Sequence, residues 1–393
     1  MKYVPSIPAL LVLTLGLPRE FAIYGVPPLM LLLLFEGRRN IMQDSARKLA
    51  LMLLLVIPAY FASSARTTET ARLASLGLLI AIFPYRGIRL TFLREAGLVL
   101  MAYVLVFQIG ILLGYSSMMA FRERFYPISD NHWEEATLAQ VYEGFRVVRA
   151  AGLFYNPNVM AQVVFFPYVI ATLCLKKPFS GAIHAVLATL AFGSIALTGS
   201  RVYSVAMVLI VLLNTVKTRA LRMVMVVVMA VAGLEFIREF ILNDFSSSSG
   251  SMATKLTILS DYLALNAATP LGWIRLLWGG TYDIPFDADV GYLIGAWGFL
   301  GFGVSVAMVV WVCRRFSGAW RVVMPIYLTS FANSLFFSLL NAPLFVVTIL
   351  AVAKYAEKKQ RLRGEFVPPG PRRFVRPAEV RRPGLDRLPG SAR

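Results

Sequence analysis

Three stretches of this 393-residue chain put charged side chains at the borders of apolar runs. In the first, Arg149 precedes Ala-Ala-Gly-Leu-Phe-Tyr-Asn156-Pro157-Asn158 and an apolar run follows. Proline suits the first position of a helix and asparagine caps one, so the segment predicts a helix start. The same segment carries Arg122, Arg124 and Arg146, and arginine beside a helix N-terminus also makes an anion site. In the second stretch, Thr198-Gly199-Ser200-Arg201 is all that separates two apolar runs. An arginine held in so short a turn either snorkels to lipid phosphates or points into a cavity. A fixed guanidinium grips phosphate through two parallel hydrogen bonds, where lysine acts as a point charge. The third stretch, Gly279-Gly280-Thr-Tyr-Asp283-Ile-Pro-Phe-Asp287-Ala-Asp289-Val-Gly291-Tyr292, ends at the mouth of another apolar run. There Asp289 suits two roles, a helix N-cap or a general base whose basicity partial burial would raise.

The elements that must hold these residues are apolar helices. Hydrophobic residues make up 58% of the chain and charged residues 15%, against about 25% charged in soluble domains, and mean hydropathy is +0.67. So apolar a chain calls for lipid as its solvent. The expected fold class is all-α, a polytopic membrane protein with spans near 4–17, 20–35, 48–63, 71–85, 92–114, 157–175, 181–198, 202–216, 221–238, 289–313, 322–340 and 342–354. That makes twelve spans, with eleven as the alternative, since several are short for a hydrocarbon core that needs about 20 helical residues. Near the N-terminus, Pro18-Arg19-Glu20 reads as a turn rather than a signal-peptide cleavage site.

Charge sets the orientation. Arg38, Arg39, Arg47, Lys48, Arg86, Arg89, Arg94, Lys176, Lys177, Lys217, Arg219, Arg222, Arg314, Arg315 and Arg321 fall on one side of the predicted topology, which makes that side cytoplasmic. Both termini lie there. Segments near 115–156 and 239–288 then form two large outward loops. Residues 1–354 form the membrane domain, and 355–393 a basic Pro/Arg-rich tail expected to be disordered. Residues 354–393 carry 12 Lys+Arg and 4 Asp+Glu, +8 of the chain's +18. Such a tail either meets anionic inner-leaflet lipid or is a solvated topology anchor; nucleic acid is not an expected partner. Two cysteines, Cys174 and Cys313, and two histidines, His132 and His184, offer neither a disulfide framework nor metal-ligand spacing.

The order and spacing of RAAGLFYNPNVMA (149–161), LTGSR (197–201) and DADVGYLIGAWGFLGFGV (287–304) resemble those of the O-antigen polymerase and ligase superfamily, the Wzy-like and WaaL-like membrane glycosyltransferases. The resemblance implies transfer of glycans from polyprenyl-pyrophosphate carriers on the periplasmic face of a bacterial inner membrane. It implies no metal and no cofactor. By similarity, Arg149 and Arg201 bind the donor pyrophosphate, with Asn156, Asn158, Ser200, Arg275 and Tyr292 as further substrate-binding candidates. Asp289 or Asp287 becomes the catalytic base. Ligases of the family usually carry histidine at position 289, so aspartate there points to the polymerase branch; Val290 replaces the family's asparagine. Trp133, Tyr142, Tyr155, Trp273 and Tyr282 are either sugar-stacking or interfacial-belt aromatics. Expected partners are the lipid-linked glycan donor and acceptor, membrane lipids and a chain-length regulator protein. The alternatives are a ligase acting on lipid A core and a transporter or flippase of lipid-linked sugar. A transporter would favour ionisable residues at mid-membrane, and the predicted spans carry almost none.

Overall fold

The computed structural model describes residues 7–14, 16–17, 28–29, 32, 89–125, 140–142, 145–147, 150, 152–154, 157–216, 218, 251–279, 289–316, 318–329 and 341–362. Among these the fold is all-α apart from one small ribbon. The helices are α1 (Ile7–Thr14), α2 (Leu90–Leu112), α3 (Ser116–Phe125), α4 (Pro157–Leu173), α5 (Ala182–Leu197), α6 (Arg201–Thr215), α7 (Ser251–Ala267), α8 (Pro270–Trp278), α9 (Asp289–Arg315), α10 (Trp320–Thr329) and α11 (Asn341–Leu362). A 3-10 turn covers Gly152–Phe154, and β1 (Gln140–Tyr142) pairs antiparallel with β2 (Phe145–Val147). The chain forms two compact units, Met1–Ala356 and Glu357–Arg393, and the hydrophobic core lies in the first.

Helix α4 is the centre of that core. Of its 17 residues, all but Asn158 and Val159 are buried. It packs on α2, α5, α6 and the 3-10 turn, and α1 packs on α2. An apolar helix with no polar face must be surrounded, and the PNVMAQVVFFPYVIATL sequence of α4 has none. The approach to α2 is close because Gly97 faces Pro167: a Cβ at Gly97 would stand 2.9 Å from the Pro167 carbonyl oxygen. Small residues let helix backbones meet in this way.

Several predicted spans coincide with described helices: 92–114 with α2, 157–175 with α4, 181–198 with α5 and 202–216 with α6. Among the described residues Leu90–Leu112 is long and apolar enough to cross a membrane, whereas Pro157–Leu173, Ala182–Leu197, Arg201–Thr215 and Val347–Ala356 are apolar but shorter. The predicted spans 48–63, 71–85 and 221–238 lie outside the described residues, and 20–35 is described only at Pro28, Leu29 and Leu32.

Three elements differ from expectation. The segment 239–288, expected as an outward loop, contains the helices α7 and α8. Thr269 starts α8 by accepting a hydrogen bond from the Gly272 amide at 3.0 Å, and Gly279 ends it at φ +87°. The span 289–313 is not one continuous helix, because α9 breaks at Gly298, where φ is +65° and ψ −171°. Finally, α11 continues to Leu362, past the predicted end at 354.

Candidate functional site

The turn between α5 and α6 is built from the chemistry of its four residues. Thr198 ends α5, with its hydroxyl donating to the Ile195 carbonyl at 2.6 Å. Gly199 takes φ +65° and its amide reaches the Ala196 carbonyl at 2.9 Å. This is the left-handed glycine stop of a helix. The Ser200 amide then donates to the Thr198 hydroxyl at 3.2 Å, and the Ser200 carbonyl accepts the Ser204 amide at 3.1 Å to begin α6. Ser200 occupies the N-cap position with no side-chain cap bond and is buried, whereas Arg201, the first helical residue, is exposed.

The segment that follows Arg149 is tied to this same turn. The Ala150 amide donates to the Leu197 carbonyl at 2.9 Å. The Ala150 carbonyl accepts from Gln108 Nε2 at 3.1 Å, and the same nitrogen donates to the Ser194 carbonyl at 3.2 Å. The Ser194 hydroxyl completes the set by donating to Gln108 Oε1. Gln108 and Ser194 are both buried. One side chain of α2 therefore joins the 150-segment to the last turn of α5. In an apolar interior each of these polar groups would be costly to leave unmatched.

Below Ala150, Gly152 sits at φ +57°, and a Cβ there would lie 3.1 Å from Met160 Sδ and 3.6 Å from the Gln108 Cα. The glycine of the Arg-x-x-Gly spacing thus supplies both a left-handed backbone and a close approach. Pro157 opens α4 as the Asn-Pro-Asn sequence predicts, and Asn158, next to it, is half-buried.

These contacts lie at one end of the helix bundle. The α4–α5 connection lies at the other, about 24 Å along α5 at about 1.5 Å per residue over its 16 residues. At that far end Tyr168 hydrogen-bonds His184 Nε2 at 3.1 Å, Phe179 meets the His184 ring edge-on, and Lys176 and Lys177 lie in the connection. The structure thus separates the basic connection from the Arg201 turn by the length of α5.

Other candidates are placed as follows. Asp289 is the first residue of α9 and Tyr292 lies in its first turn. Arg275 is exposed on α8. Helix α9 packs on α8 and α10, and α10 packs on α6, the helix that Arg201 begins. Arg149, Asn156 and Asp287 lie outside the described residues, as do Trp133, Tyr155 and Tyr282. Of the other arginines in 115–156, Arg122 is buried on α3, while Arg124 is exposed and stacks over the Phe125 ring at 5.5 Å. Helix α3 itself folds back on α2 through a row of rings, Tyr103, Phe107, Phe121 and Phe125, with centroids 4.8–5.0 Å apart. Among the described residues no three His, Cys, Asp or Glu side chains converge as a metal site would require.

Gln108 and Ser194 escaped the sequence reading. The signal for each was a lone polar residue inside an apolar run, which in a membrane helix calls for a partner. No family model, curated protein or solved structure matches this chain.

Proposed function

We propose that the chain is a Wzy-like polymerase of a surface polysaccharide, working from polyprenyl-pyrophosphate-linked repeat units at the periplasmic face of a bacterial inner membrane. The observation that carries the reading is the Ala150–Leu197 hydrogen bond with its Gln108 bridge. It joins the peptide unit next to Arg149 to the turn that presents Arg201. Two guanidinium-bearing segments, far apart in sequence, then serve one anionic group. The N-terminus of α6, which carries no side-chain cap bond at Ser200, adds a positive dipole end to the same place.

In this reading the protein has twelve spans, or eleven, with both termini cytoplasmic and the segments 115–156 and 239–288 periplasmic. Exposed apolar side chains on α2 and α5, such as Val99, Val106, Ile183 and Val186, support a lipid surround, since water would disfavour so broad an apolar face.

The acceptor hydroxyl of one repeat unit attacks the anomeric carbon of the other, and the bond from that carbon to the pyrophosphate oxygen breaks. The hydroxyl proton passes to the Asp289 carboxylate, with Asp287 as the other candidate base. Negative charge grows on the departing polyprenyl pyrophosphate, and Arg149 and Arg201 stabilise it where water is scarce. Asn156, Asn158, Ser200 and Tyr292 complete the substrate surround, Ser200 through the turn it shapes.

The test is turnover by purified protein given a polyprenyl-pyrophosphate oligosaccharide. A ladder of longer glycans without lipid A is the expected result. Product only when lipid A core is supplied would make the protein a ligase. Movement of intact substrate across vesicles, without new glycosidic bonds, would make it a transporter.

A further inference from the structure

Helix α8 is too short to cross a bilayer. Its 9 residues span about 14 Å, against a hydrocarbon core of about 30 Å. It is nevertheless fixed firmly at both ends by glycine. At its start Gly272 lies so near the Asn266 backbone of α7 that no Cβ fits. At its end the carbonyls of Leu276 and Leu277 occupy the space that a side chain on Gly298 of α9 would need, with Leu276 O only 2.5 Å from such a Cβ. Between these contacts Leu276 is buried with Tyr262 and Ile294. The inner stripe of α8 is therefore Gly272 and Leu276, one turn apart.

Most of the remaining surface of the helix points away from the protein, and apart from Arg275 it is apolar. Leu271, Trp273 and Ile274 are 59%, 60% and 58% exposed, and Leu277 is exposed with them. At about 100° per residue these four share one broad arc, and Arg275 borders it beside the buried stripe. Leu265 of α7 and Phe299 of α9, the residue after the Gly298 break, are exposed too, so the neighbouring helices offer apolar side chains as well. An apolar arc containing tryptophan, with a single arginine at its rim, suits the boundary between acyl chains and headgroups.

We infer that α8 is an interfacial helix lying in the outer leaflet, its Leu271–Leu277 arc among the acyl chains and Arg275 on lipid headgroup phosphate. The inference rests on the membrane-embedded reading above and assigns Arg275 to lipid rather than to the glycan donor. Its consequence for that site is mechanical. Clamped to α9 at Gly298, α8 holds the helix that begins at Asp289 at the level of the phosphates, where a lipid-linked pyrophosphate must lie.

Nitroxide labels on Trp273→Cys, Ile274→Cys and Leu277→Cys test this in full-length protein with Cys174 and Cys313 changed to serine. The protein is reconstituted in phosphatidylethanolamine–phosphatidylglycerol vesicles, with a reference label on Val99→Cys, an exposed residue near the middle of α2. Collision with oxygen should exceed collision with a water-soluble nickel chelate several-fold at all three α8 positions. Their depth should be about 5–10 Å below the headgroup boundary, shallower than that of the Val99 label. Arg275→Glu should raise nickel access at Trp273→Cys by weakening the hold on anionic headgroups; unchanged access would overturn the role of Arg275. Nickel access at the three α8 positions with Val99 protected overturns the inference and leaves the membrane reading standing. Shielding from both reagents means that protein covers α8, which also overturns it. Nickel access at Val99 itself would refute the membrane reading, and this inference with it.

Discussion

Ser194 of α5 donates its hydroxyl to the amide oxygen of Gln108 on α2, 86 residues earlier, while the Gln108 amide nitrogen spans the carbonyls of Ser194 and Ala150. This exchange links α2, the 150-segment and α5 together. Whatever disturbs it acts on the backbone beside Arg149 and on the turn before Arg201 at once.

Gln108→Leu keeps approximate volume and removes every bond of the bridge. Each buried polar group left unmatched costs about 1–3 kcal/mol, so thermal unfolding in detergent should fall clearly below wild type. Ser194→Ala should cost less, because the Gln108 nitrogen keeps both carbonyls. The double variant should lose less than the sum of the two, as residues in one network do. Strict additivity would mean that the two side chains do not cooperate.

A pair of glycine substitutions separates close packing from helix propensity. Gly97→Ala drives a methyl toward the Pro167 carbonyl at 2.9 Å, and overpacking of this kind costs about 1–3 kcal/mol. Gly193→Ala meets nothing within 4 Å and should be neutral or stabilising by up to about 1 kcal/mol. Equal melting shifts for the two would contradict the α2–α4 approach.

Gly298→Ala combines a left-handed backbone with the loss of room for the α8 carbonyls. Strain at such a position costs of order 1–3 kcal/mol, before the clash is added. The expected readout is faster protease cleavage between α8 and α9 at unchanged cleavage elsewhere. Wild-type digestion kinetics would argue that the break at Gly298 is dispensable.

The charged residues predict a graded loss of polymer. Arg149→Ala and Arg201→Ala should each abolish it while the protein still reaches the membrane. Arg201→Lys should retain a small fraction, since lysine keeps the charge and loses the two-bond grip. Long-chain polymer in both alanine variants would remove the pyrophosphate assignment. Asp289→Asn should lose more activity than Asp287→Asn, and the reverse order moves the base to Asp287.

Orientation is open to direct measurement. A cysteine near Ser247 should react with an impermeant reagent added from outside, and one near Arg315 should not. The opposite pattern would invert the topology.

Much of this was legible from residue order. The positions of α2, α4, α5 and α6 follow from apolar runs, with Pro157 opening α4 and Gly199 closing α5. The stop and start at 198–201 could be read because glycine has a known task at helix ends. What escaped depended on distance. Nothing near Gln108 in sequence indicates that its partners are Ala150 and Ser194. Glycine at 298 looks like any other in a glycine-rich run, and only the carbonyls of Leu276 and Leu277 explain its backbone. Helix α8 was hidden for another reason: the polar average of 239–288 masked a nine-residue element whose Thr269-Pro270 start and Gly279 stop were present all along.

The Gln108 bridge also sets an order of events during synthesis. Its first member leaves the ribosome with α2, yet the bridge cannot close until Ser194 and Leu197 have followed. A nascent chain halted anywhere before α5 would hold the Ala150 amide without its Leu197 acceptor. The segments that carry Arg149 and Arg201 are thus joined only after α5 has been made.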